Sequence, residues 1–365
     1  MTALHPGPTN SLVDVGGIRV GHADRRGDGW LSGTTVVLAP DSGAVAGVDV
    51  RGGGPGTRET DLLDPRNQVE RIHAVVLSGG SAFGLGAADG VMQRLFDAGV
   101  GYPAGGPGEV VPIVPAAVIF DLGRGGDFTR RPGAAMGEEA YDAAVSGSPG
   151  STGSGRDGGV PNGAVGAGTG ATTGGLKGGV GSASVVLADG TTVAVLVVVN
   201  SFGSCVHPDT GGLYAARYGL PGEFSGLVPP DPGEVDAARD AAEAARRTGG
   251  PGALGATLAT TIGVVATDAT LTKAQCAKVS GIAHDGMARG IRPVHTMFDG
   301  DTVFCLATGD RPAPDPLAFH ELLDAGGDCF ARAIGHAMLA AESVETPAGR
   351  WRSYRDAFPS GFPAA

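Results

Sequence analysis

The chain has 365 residues, of which 42% are hydrophobic and 18% charged, so it is long enough to bury one large core. Its formal net charge of −12 at pH 7 argues against nucleic acid as a partner, because phosphates would be repelled. We expect no membrane-spanning segment and no secretory signal. No apolar run reaches about 18 residues, and the first residues lack a basic stretch followed by an apolar one.

Short apolar runs bordered by Gly, Pro or Asp recur along the chain and predict β-strands, because β-branched residues favour the pleated sheet. The runs are residues 34–38, 44–46, 74–77, 118–120, 184–187 and 193–199. The last run, VAVLVVV, has no polar alternation, which predicts a central strand covered on both faces.

Helical periodicity separates these strands at residues 82–98, 273–289 and about 317–341. On the first helix the predicted apolar face carries Leu85, Ala88, Met92, Leu95 and Phe96; on the second it carries Cys276, Val279, Ala283 and Met287. Thr272 and Gln275 match a capping box at the start of the second helix. Mixed strands and helices predict an α/β or α+β fold with layered sheets.

Residues 221–257 differ from the rest, because Pro and Gly flank a polar, alanine-rich helical stretch. We interpret them as an exposed linker that leads into the apolar segment ATTIGVVAT. A bond that is to be cut must lie where the chain can bend, and the end of this linker meets that condition.

Thr260 follows the linker directly and opens the apolar segment. If the preceding peptide bond is broken, the new α-amine lies beside the hydroxyl of the same residue. That amine titrates at about 7.7–8.0, so it can accept the hydroxyl proton. Taken alone, the two adjacent threonines are better explained by the start of an ordinary strand, because β-branched residues favour strands.

Asp299 and Asp301 flank Gly300 just before another apolar run, TVFCLAT. Gly300 permits a turn that directs both carboxylates to one side, where they can orient an amine or a hydroxyl and tune its pKa. The local alternative is a simple Asp-Gly turn.

A glycine-rich segment, GAGTGATTGGLK, covers residues 166–177. Its free N–H groups suggest an anion or oxyanion site, so Gly168 and Thr169 are candidate substrate contacts and Lys177 a candidate anion partner. Asn200 ends the VAVLVVV strand, where its amide can donate to an oxyanion or simply cap a turn.

We predict no metal and no cofactor. The eight histidines show no ligand spacing, and Cys205, Cys276, Cys305 and Cys329 are scattered without a Cys-x-x-Cys pair. Scattered cysteines fit a reducing compartment, so the cytoplasm is the expected location.

Several ordered segments together resemble the P1 family of peptidases, which includes DmpA-like aminopeptidases, β-aminopeptidases and nylon-oligomer hydrolases. They are VGGIRVGH, VDVRGGGPGTRETDLL, AVVLSGGSAFGL, VPAAVIFDL, GAGTGAT, VNSFG, TTIGVVATDA and HTMFDGDTVF. The resemblance spans nearly the whole chain, and so many matches in the same order favour the catalytic interpretation of each segment.

The resemblance implies a four-layer αββα sandwich in one domain, residues 1–365, of the DmpA and ornithine-acetyltransferase type. It implies self-cleavage between Ala259 and Thr260 into chains 1–259 and 260–365. The nucleophile of the family maps onto Thr260, its acidic pair onto Asp299 and Asp301, its oxyanion asparagine onto Asn200, and its lysine onto Lys177. Relatives usually assemble as tetramers of processed protomers, so a homo-oligomer is expected.

The sequence departs from this family at two positions. Ala259 stands where many relatives have Asn before the nucleophile, although only its carbonyl group is attacked. Phe120 replaces a tyrosine of the nylon hydrolases at the substrate site, so the hydroxyl group of that residue is missing.

The predicted activity is hydrolysis of short peptides or small amides with a free amino end, including 6-aminohexanoate oligomers, through an acyl-enzyme on Thr260. Two alternatives remain. One is acyl transfer of the ornithine-acetyltransferase type, and the other is an unprocessed protein that binds small amides without turnover.

Overall fold

The chain folds into stacked sheets and helices, and the computed structural model describes residues 4–146, 158–247 and 258–362. The strands are β1 (Arg19–Gly27), β2 (Trp30–Leu38), β3 (Ala44–Val50), β4 (Thr57–Arg58), β5 (Arg71–Ile72), β6 (Ala74–Ser78), β7 (Tyr102–Pro103), β8 (Val110–Val111), β9 (Ala116–Val118), β10 (Thr172–Thr173), β11 (Leu176–Lys177), β12 (Gly179–Val186), β13 (Thr192–Val199), β14 (Ile262–Ala269), β15 (Thr302–Arg311), β16 (Val344–Thr346) and β17 (Gly349–Trp351). The α-helices are α1 (Ala87–Asp97), α2 (Ala134–Ser146), α3 (Pro232–Arg247), α4 (Lys273–Gly290), α5 (Pro316–Ala340) and α6 (Tyr354–Ala357). Short 3-10 helices cover Leu12–Asp14, Asp61–Leu63, Ser81–Gly86, Gly166–Gly168, Tyr214–Tyr218 and Pro359–Gly361.

Two large sheets organise the fold. A six-stranded sheet has the order β12-β13-β14-β15-β3-β5, and a five-stranded sheet has the order β1-β2-β6-β9-β4. Neighbouring strands are antiparallel, except for the parallel pairs β14–β15 and β6–β9.

Three hydrophobic cores separate four layers. Helices α1 and α2 cover the outer face of the five-stranded sheet, and α4 and α5 cover the outer face of the six-stranded sheet. The third core lies between the sheets. This arrangement is the predicted αββα sandwich, in which each amphipathic element buries its apolar face against the next layer.

Strand β13 confirms the prediction of a strand covered on both faces. Its odd-numbered valines, from Val193 to Val199, pack toward the helices, whereas Ala194, Leu196 and Val198 pack between the sheets. Successive side chains of a strand point to opposite faces, so a continuous apolar run suits a strand with a core on each side.

The predicted helices are present, with one error of phase. Thr272 and Gln275 form the expected capping box of α4. On α1, however, Phe96 is 48% exposed, whereas Val91 is fully buried. The 3-10 helix Ser81–Gly86, with about 3.0 residues per turn, covers the start of this segment. A face extrapolated at about 3.6 residues per turn therefore drifts out of register.

The alanine-rich stretch of the predicted linker forms α3, while residues 248–257 of that linker lie outside the described residues. The four cysteines are buried free thiols. In the described part of the chain, no helix combines the length and the apolar character needed to cross a membrane.

His22 links the stability of the sandwich to pH. It is buried, its Nδ1 lies 2.9 Å from Thr35 Oγ1, and its Nε2 has no partner among the described residues. Burial lowers its pKa to about 4. The unfolded chain therefore binds a proton at this residue near pH 6.5, whereas the native state binds it only near pH 4. The free energy of unfolding should fall by about 3 kcal/mol as the pH drops from 6.5 to 4.

Urea unfolding of the wild type and of His22→Asn at pH 7 and pH 4.5 measures this contribution. Asparagine places a polar atom near the position of Nδ1 but does not titrate. We expect a smaller loss of stability in the variant. Parallel losses in both proteins would show that His22 does not contribute.

Candidate active site

Three predicted site residues meet at one edge of the six-stranded sheet. Asn200 follows the end of β13, Thr260 precedes the start of β14, and Asp301 precedes the start of β15. β13 is antiparallel to β14, and β14 is parallel to β15, so these three strand ends lie side by side. The topology alone brings together residues that are up to 101 positions apart in the sequence.

Thr260 is held against the peptide bond that precedes it. Its side chain is nearly buried, with 5% of the residue exposed, and its Oγ1 donates to the Ala259 carbonyl oxygen at 2.5 Å. Its backbone N–H donates to the Asn200 carbonyl oxygen at 2.6 Å, and the Ala259 N–H donates to the Phe298 carbonyl oxygen at 2.9 Å. The hydroxyl therefore lies beside the carbonyl group that it is predicted to attack.

Asp301 joins the beginnings of β14 and β15. Its Oδ1 accepts from the Thr261 N–H at 2.7 Å, and its Oδ2 accepts from the His295 N–H at 3.2 Å. Burial raises the pKa of Asp301, whereas its hydrogen bond with His295 lowers it. The carboxylate is thus fixed one residue away from the predicted nucleophile.

His295 was not predicted as a site residue, although it begins the motif HTMFDGDTVF. Its Nδ1 lies 2.7 Å from Asp301 Oδ2, so the carboxylate acceptor places the ring proton on Nδ1. The backbone of His295 has a φ of 57°, in the left-handed region that non-glycine residues seldom occupy. Its ring packs edge-on against His284, with centroids 4.7 Å apart. These contacts orient the Asp301 carboxylate.

Asp299 also stabilises the backbone at this edge of the sheet, through other partners. Its Oδ1 accepts from the Phe202 N–H at 3.2 Å, and its Oδ2 accepts from Thr296 N at 3.0 Å and from Thr296 Oγ1 at 2.6 Å. In the intact chain, no hydrogen bond among the described residues joins either aspartate to Thr260. A direct role for both aspartates in orienting its amine therefore stays a prediction.

Gly300 is required for a different reason from the one predicted. A Cβ atom at this position would lie 2.4 Å from the carbonyl oxygen of Gly54, so the glycine permits close packing against the loop at residues 51–56. That loop donates Arg51 N–H to the Asp301 carbonyl oxygen at 2.7 Å and Gly54 N–H to the Asp299 carbonyl oxygen at 3.0 Å. The loop therefore supports the backbone that carries both carboxylates.

The orientation of the Asn200 amide is set by its neighbours. Its Oδ1 accepts from Arg124 Nη1 at 2.6 Å and from the Thr172 N–H at 3.0 Å. Both partners are donors only, so they select the rotamer that points the amide nitrogen away from them. That nitrogen donates to the Phe120 carbonyl oxygen at a long 3.4 Å, and its second N–H has no hydrogen-bond partner among the described residues.

Arg124 is the main residue that the sequence analysis missed. Besides Asn200, its Nη1 contacts the Gly170 carbonyl oxygen at 2.7 Å. Burial lowers its pKa to about 10, so the guanidinium stays charged at neutral pH. The sequence signal that could have identified Arg124 is the presence of two charged residues, Asp121 and Arg124, directly after the buried strand of VPAAVIFDL. Asp121 is buried, and its Oδ1 accepts from the Gly80 N–H at 2.6 Å.

Lys177 supports the glycine-rich segment instead of presenting a free ammonium group. It is fully buried, and its Nζ donates to the carbonyl oxygens of Gly168, Ala171 and Gly178 at 2.8–2.9 Å. Burial lowers its pKa well below the usual value, and the charge of Arg124 lowers it further. Because an ammonium group has three donors, none remains for an anion in this form of the chain.

The exposed anion site expected at Gly168 and Thr169 is absent from the intact chain. The N–H groups of these residues donate to Val165 and Gly166 carbonyl oxygens in a tight turn, and both residues are fully buried. These backbone N–H groups are therefore already hydrogen-bonded within the turn, whereas a flexible loop would leave them exposed. Substrate contact by these residues stays a prediction, as does contact by Phe120, which is half-buried beside Asn200.

The arrangement has the parts of an acyl-transfer site. A buried hydroxyl lies against a carbonyl group, an oriented amide offers a donor, and two fixed carboxylates lie at the adjoining strand ends. Hydroxyl, donor and carboxylate are the groups that nucleophilic attack on an amide requires.

Comparisons with known proteins consistently relate the chain to peptidases and other amide hydrolases. Residues 10–352 match peptidase family S58. The chain is 48% identical over 362 residues to an uncharacterized aminopeptidase of Mycobacterium leprae, covering 93% of each protein. It is 27% identical over 301 residues to a 6-aminohexanoate-oligomer endohydrolase of Paenarthrobacter ureafaciens, covering 78% of this chain and 71% of that protein.

Solved structures show the same fold. A Burkholderia β-aminopeptidase superposes with a TM-score of 0.67 at 22% identity, covering 99% of this chain and 96% of that one. The L-aminopeptidase D-Ala-esterase/amidase of Ochrobactrum anthropi, described as a variant of the Ntn hydrolase fold, gives 0.69 at 22% identity and covers 97% and 93%.

Proposed function

The chain belongs to peptidase family S58 and is a hydrolase of amide or peptide bonds, and we propose that it cuts itself before Thr260 and uses that residue as its nucleophile. The observation that carries the proposal is the contact of Thr260 Oγ1 with the Ala259 carbonyl oxygen at 2.5 Å, in a nearly buried site. The hydroxyl needs only a small movement to reach the carbonyl carbon.

Maturation proceeds by an N-to-O acyl shift. Thr260 Oγ attacks the Ala259 carbonyl carbon, the carbon–nitrogen bond breaks, and the hydroxyl proton is transferred to the departing nitrogen. The product is an ester with a free α-amine on Thr260. Water then hydrolyses the ester and leaves a carboxylate on Ala259. The processed protein consists of residues 1–259 and 260–365.

Turnover uses the groups released by maturation. The free Thr260 amine takes the proton of its own hydroxyl, directly or through a water molecule, and Oγ attacks the amide carbon of the substrate. The remaining N–H of the Asn200 amide stabilises the oxyanion. The substrate amine leaves with the proton, and water hydrolyses the acyl-enzyme to a carboxylic acid and free Thr260.

The Asn200 carbonyl oxygen and the two aspartates position the new amine. The carbonyl oxygen already accepts the Thr260 N–H at 2.6 Å, and it can keep that bond when the amide nitrogen becomes an amine. Asp301 is tied to Thr261, so its charge acts close to the same nitrogen. A nearby negative charge favours the protonated amine and so tunes its pKa.

The proposed substrates are short peptides and small amides with a free amino end. One aminopeptidase relative shares 48% identity with this chain, and the oligomer endohydrolases act on 6-aminohexanoate units by name. We also expect a cytoplasmic homo-oligomer of processed protomers with no metal or cofactor.

Trapping the acyl-enzyme tests the assignment of the nucleophile. The processed protein is mixed with an activated aminoacyl ester, quenched in acid and digested for mass spectrometry. We expect one acyl group, carried on Thr260 at the start of the 260–365 chain. An acyl group on another residue of a fully active protein would contradict the proposal.

Arg124 should affect turnover through Asn200. Removing the guanidinium in Arg124→Met frees the Asn200 amide to rotate, so we expect kcat to fall by about 10- to 100-fold with little change in KM. Arg124→Lys keeps a charged donor and should recover part of the loss. Arg130→Met is the matched control, because Arg130 is exposed and pairs with Asp127. A fall in thermal stability with unchanged kcat would assign Arg124 a purely structural role.

A further inference from the structure

A cavity of about 590 Å³ lies apart from Thr260, Asn200, Asp299 and Asp301, none of which lines it. Its walls come from helix α3, the turn at Gly174–Leu176, the segment from Ser204 to Tyr214, and the C-terminal segment from Arg350 to Phe358. The volume falls within the roughly 300–1,000 Å³ of typical small-molecule sites. The mechanism proposed above gives this cavity no role.

One part of the lining is apolar. It includes Leu176, Val206, Val235, Ala238 and Phe358. Of these, Val235 and Phe358 are almost fully buried. A ligand that fills this part must therefore carry a hydrocarbon or aromatic body, because a purely polar ligand would lose its hydration without compensation.

The polar part of the lining is dominated by arginine. Four arginines and one glutamate line the cavity: Arg239, Arg292, Arg350, Arg352 and Glu243. This accumulation of positive charge occurs in a chain whose formal net charge is −12. Scattered surface arginines of an acidic protein are expected to pair with the abundant carboxylates.

Two of these guanidinium groups, those of Arg292 and Arg350, are available to a ligand. The other two are engaged within the protein, because Arg239 pairs with Asp236 and Arg352 donates to the Asp356 carbonyl oxygen. Arg292 lies over the Tyr214 ring at 5.2 Å, a contact that restricts the guanidinium but leaves its N–H groups available. Within the described ranges, no ion pair joins Arg292 or Arg350 to a carboxylate.

We propose that this cavity is a second binding site, for a small carboxylic acid with an apolar body. A guanidinium group matches the two oxygens of a carboxylate, and the apolar wall takes the rest of the ligand. Carboxylic acids are also what amide hydrolysis releases, so the enzyme meets this class of ligand in each turnover. Binding here does not require Thr260 to be the nucleophile.

Isothermal titration of the full-length Thr260→Ala protein tests the site without turnover. The probes are 4-phenylbutyrate, its neutral amide 4-phenylbutanamide, and inorganic phosphate. We expect 1:1 binding of the acid and at least about tenfold weaker binding of the amide, because the amide cannot form the charged pair. Phosphate alone should bind weakly, because it lacks the apolar body.

Two kinds of variant locate the binding. The double variant Arg292→Ala with Arg350→Ala should weaken the acid at least about tenfold, whereas Arg66→Ala, a remote exposed arginine paired with Asp64, should not. Ala238→Trp should fill the cavity and abolish binding, whereas Ala237→Trp, exposed on the same helix and outside the lining, should leave it intact.

Three results would overturn the proposal. The first is equal affinity for the acid and its amide, and the second is phosphate binding as tight as that of the acid. The third is unchanged binding in both the double arginine variant and Ala238→Trp. Because every arm is measured in a protein without Thr260, a failure here leaves the proposed catalytic mechanism untouched.

Discussion

Replacing Thr260 by alanine is expected to leave a single full-length chain with no measurable amidase activity. The substitution removes the oxygen that attacks both the Ala259 carbonyl group and the substrate. We expect kcat to fall at least about 10³-fold, as for the loss of other enzymatic nucleophiles. Thr260→Ser keeps a hydroxyl and should still mature and turn over, although at altered rates.

The neighbouring threonine supplies a matched control. Thr261 Oγ1 is buried without a hydrogen-bond partner in the described structure, and the contact of Thr261 with Asp301 uses the backbone N–H. Thr261→Val has nearly the same shape and should therefore still be cleaved and active. Full activity of Thr260→Ala would assign the nucleophile elsewhere. So would a complete loss of activity in Thr261→Val if Thr260→Ala retained its activity.

Asn200→Asp is expected to lower kcat by about 10²- to 10³-fold without unfolding the protein. The new carboxylate can still accept from Arg124 Nη1 and from the Thr172 N–H, which now contact Asn200 Oδ1 at 2.6 and 3.0 Å. It has no N–H to offer an oxyanion, and the loss of one such donor costs that much in other enzymes.

Steady-state rates per mole of processed 260–365 chain separate this effect on turnover from any effect on maturation. Asn67→Asp, at an exposed amide remote from the sheet edge, is the control for adding a negative charge. An unchanged kcat in Asn200→Asp, with an intact fold, would remove Asn200 from the oxyanion site.

The layers of the fold could be predicted from the sequence because they depend on local periodicity. The VAVLVVV run predicts a strand between two cores, and β13 occupies that position. The capping box at Thr272 predicts the start of α4 for the same reason, since both partners lie within one turn. By contrast, the 3-10 start of the 81–97 segment changes the phase of α1 without a local sequence signal.

The functions of individual polar groups depend on contacts between distant segments, which local patterns do not encode. Arg124 and Asn200 are 76 residues apart, so their pairing follows from the way the two sheets meet. Lys177 looks like a free cation in sequence, yet the folded glycine-rich segment supplies three carbonyl acceptors to its ammonium group. Gly300 likewise looks like a turn residue, but it is needed for the close approach of Gly54.

The most direct test of the central claim is the intact mass of the purified wild-type protein under denaturing conditions, together with the N-terminal sequence of each fragment. We predict two chains that end at Ala259 and begin at Thr260, the smaller one starting Thr-Thr-Ile. A single full-length chain that stays uncut on prolonged incubation yet hydrolyses amides would contradict the account.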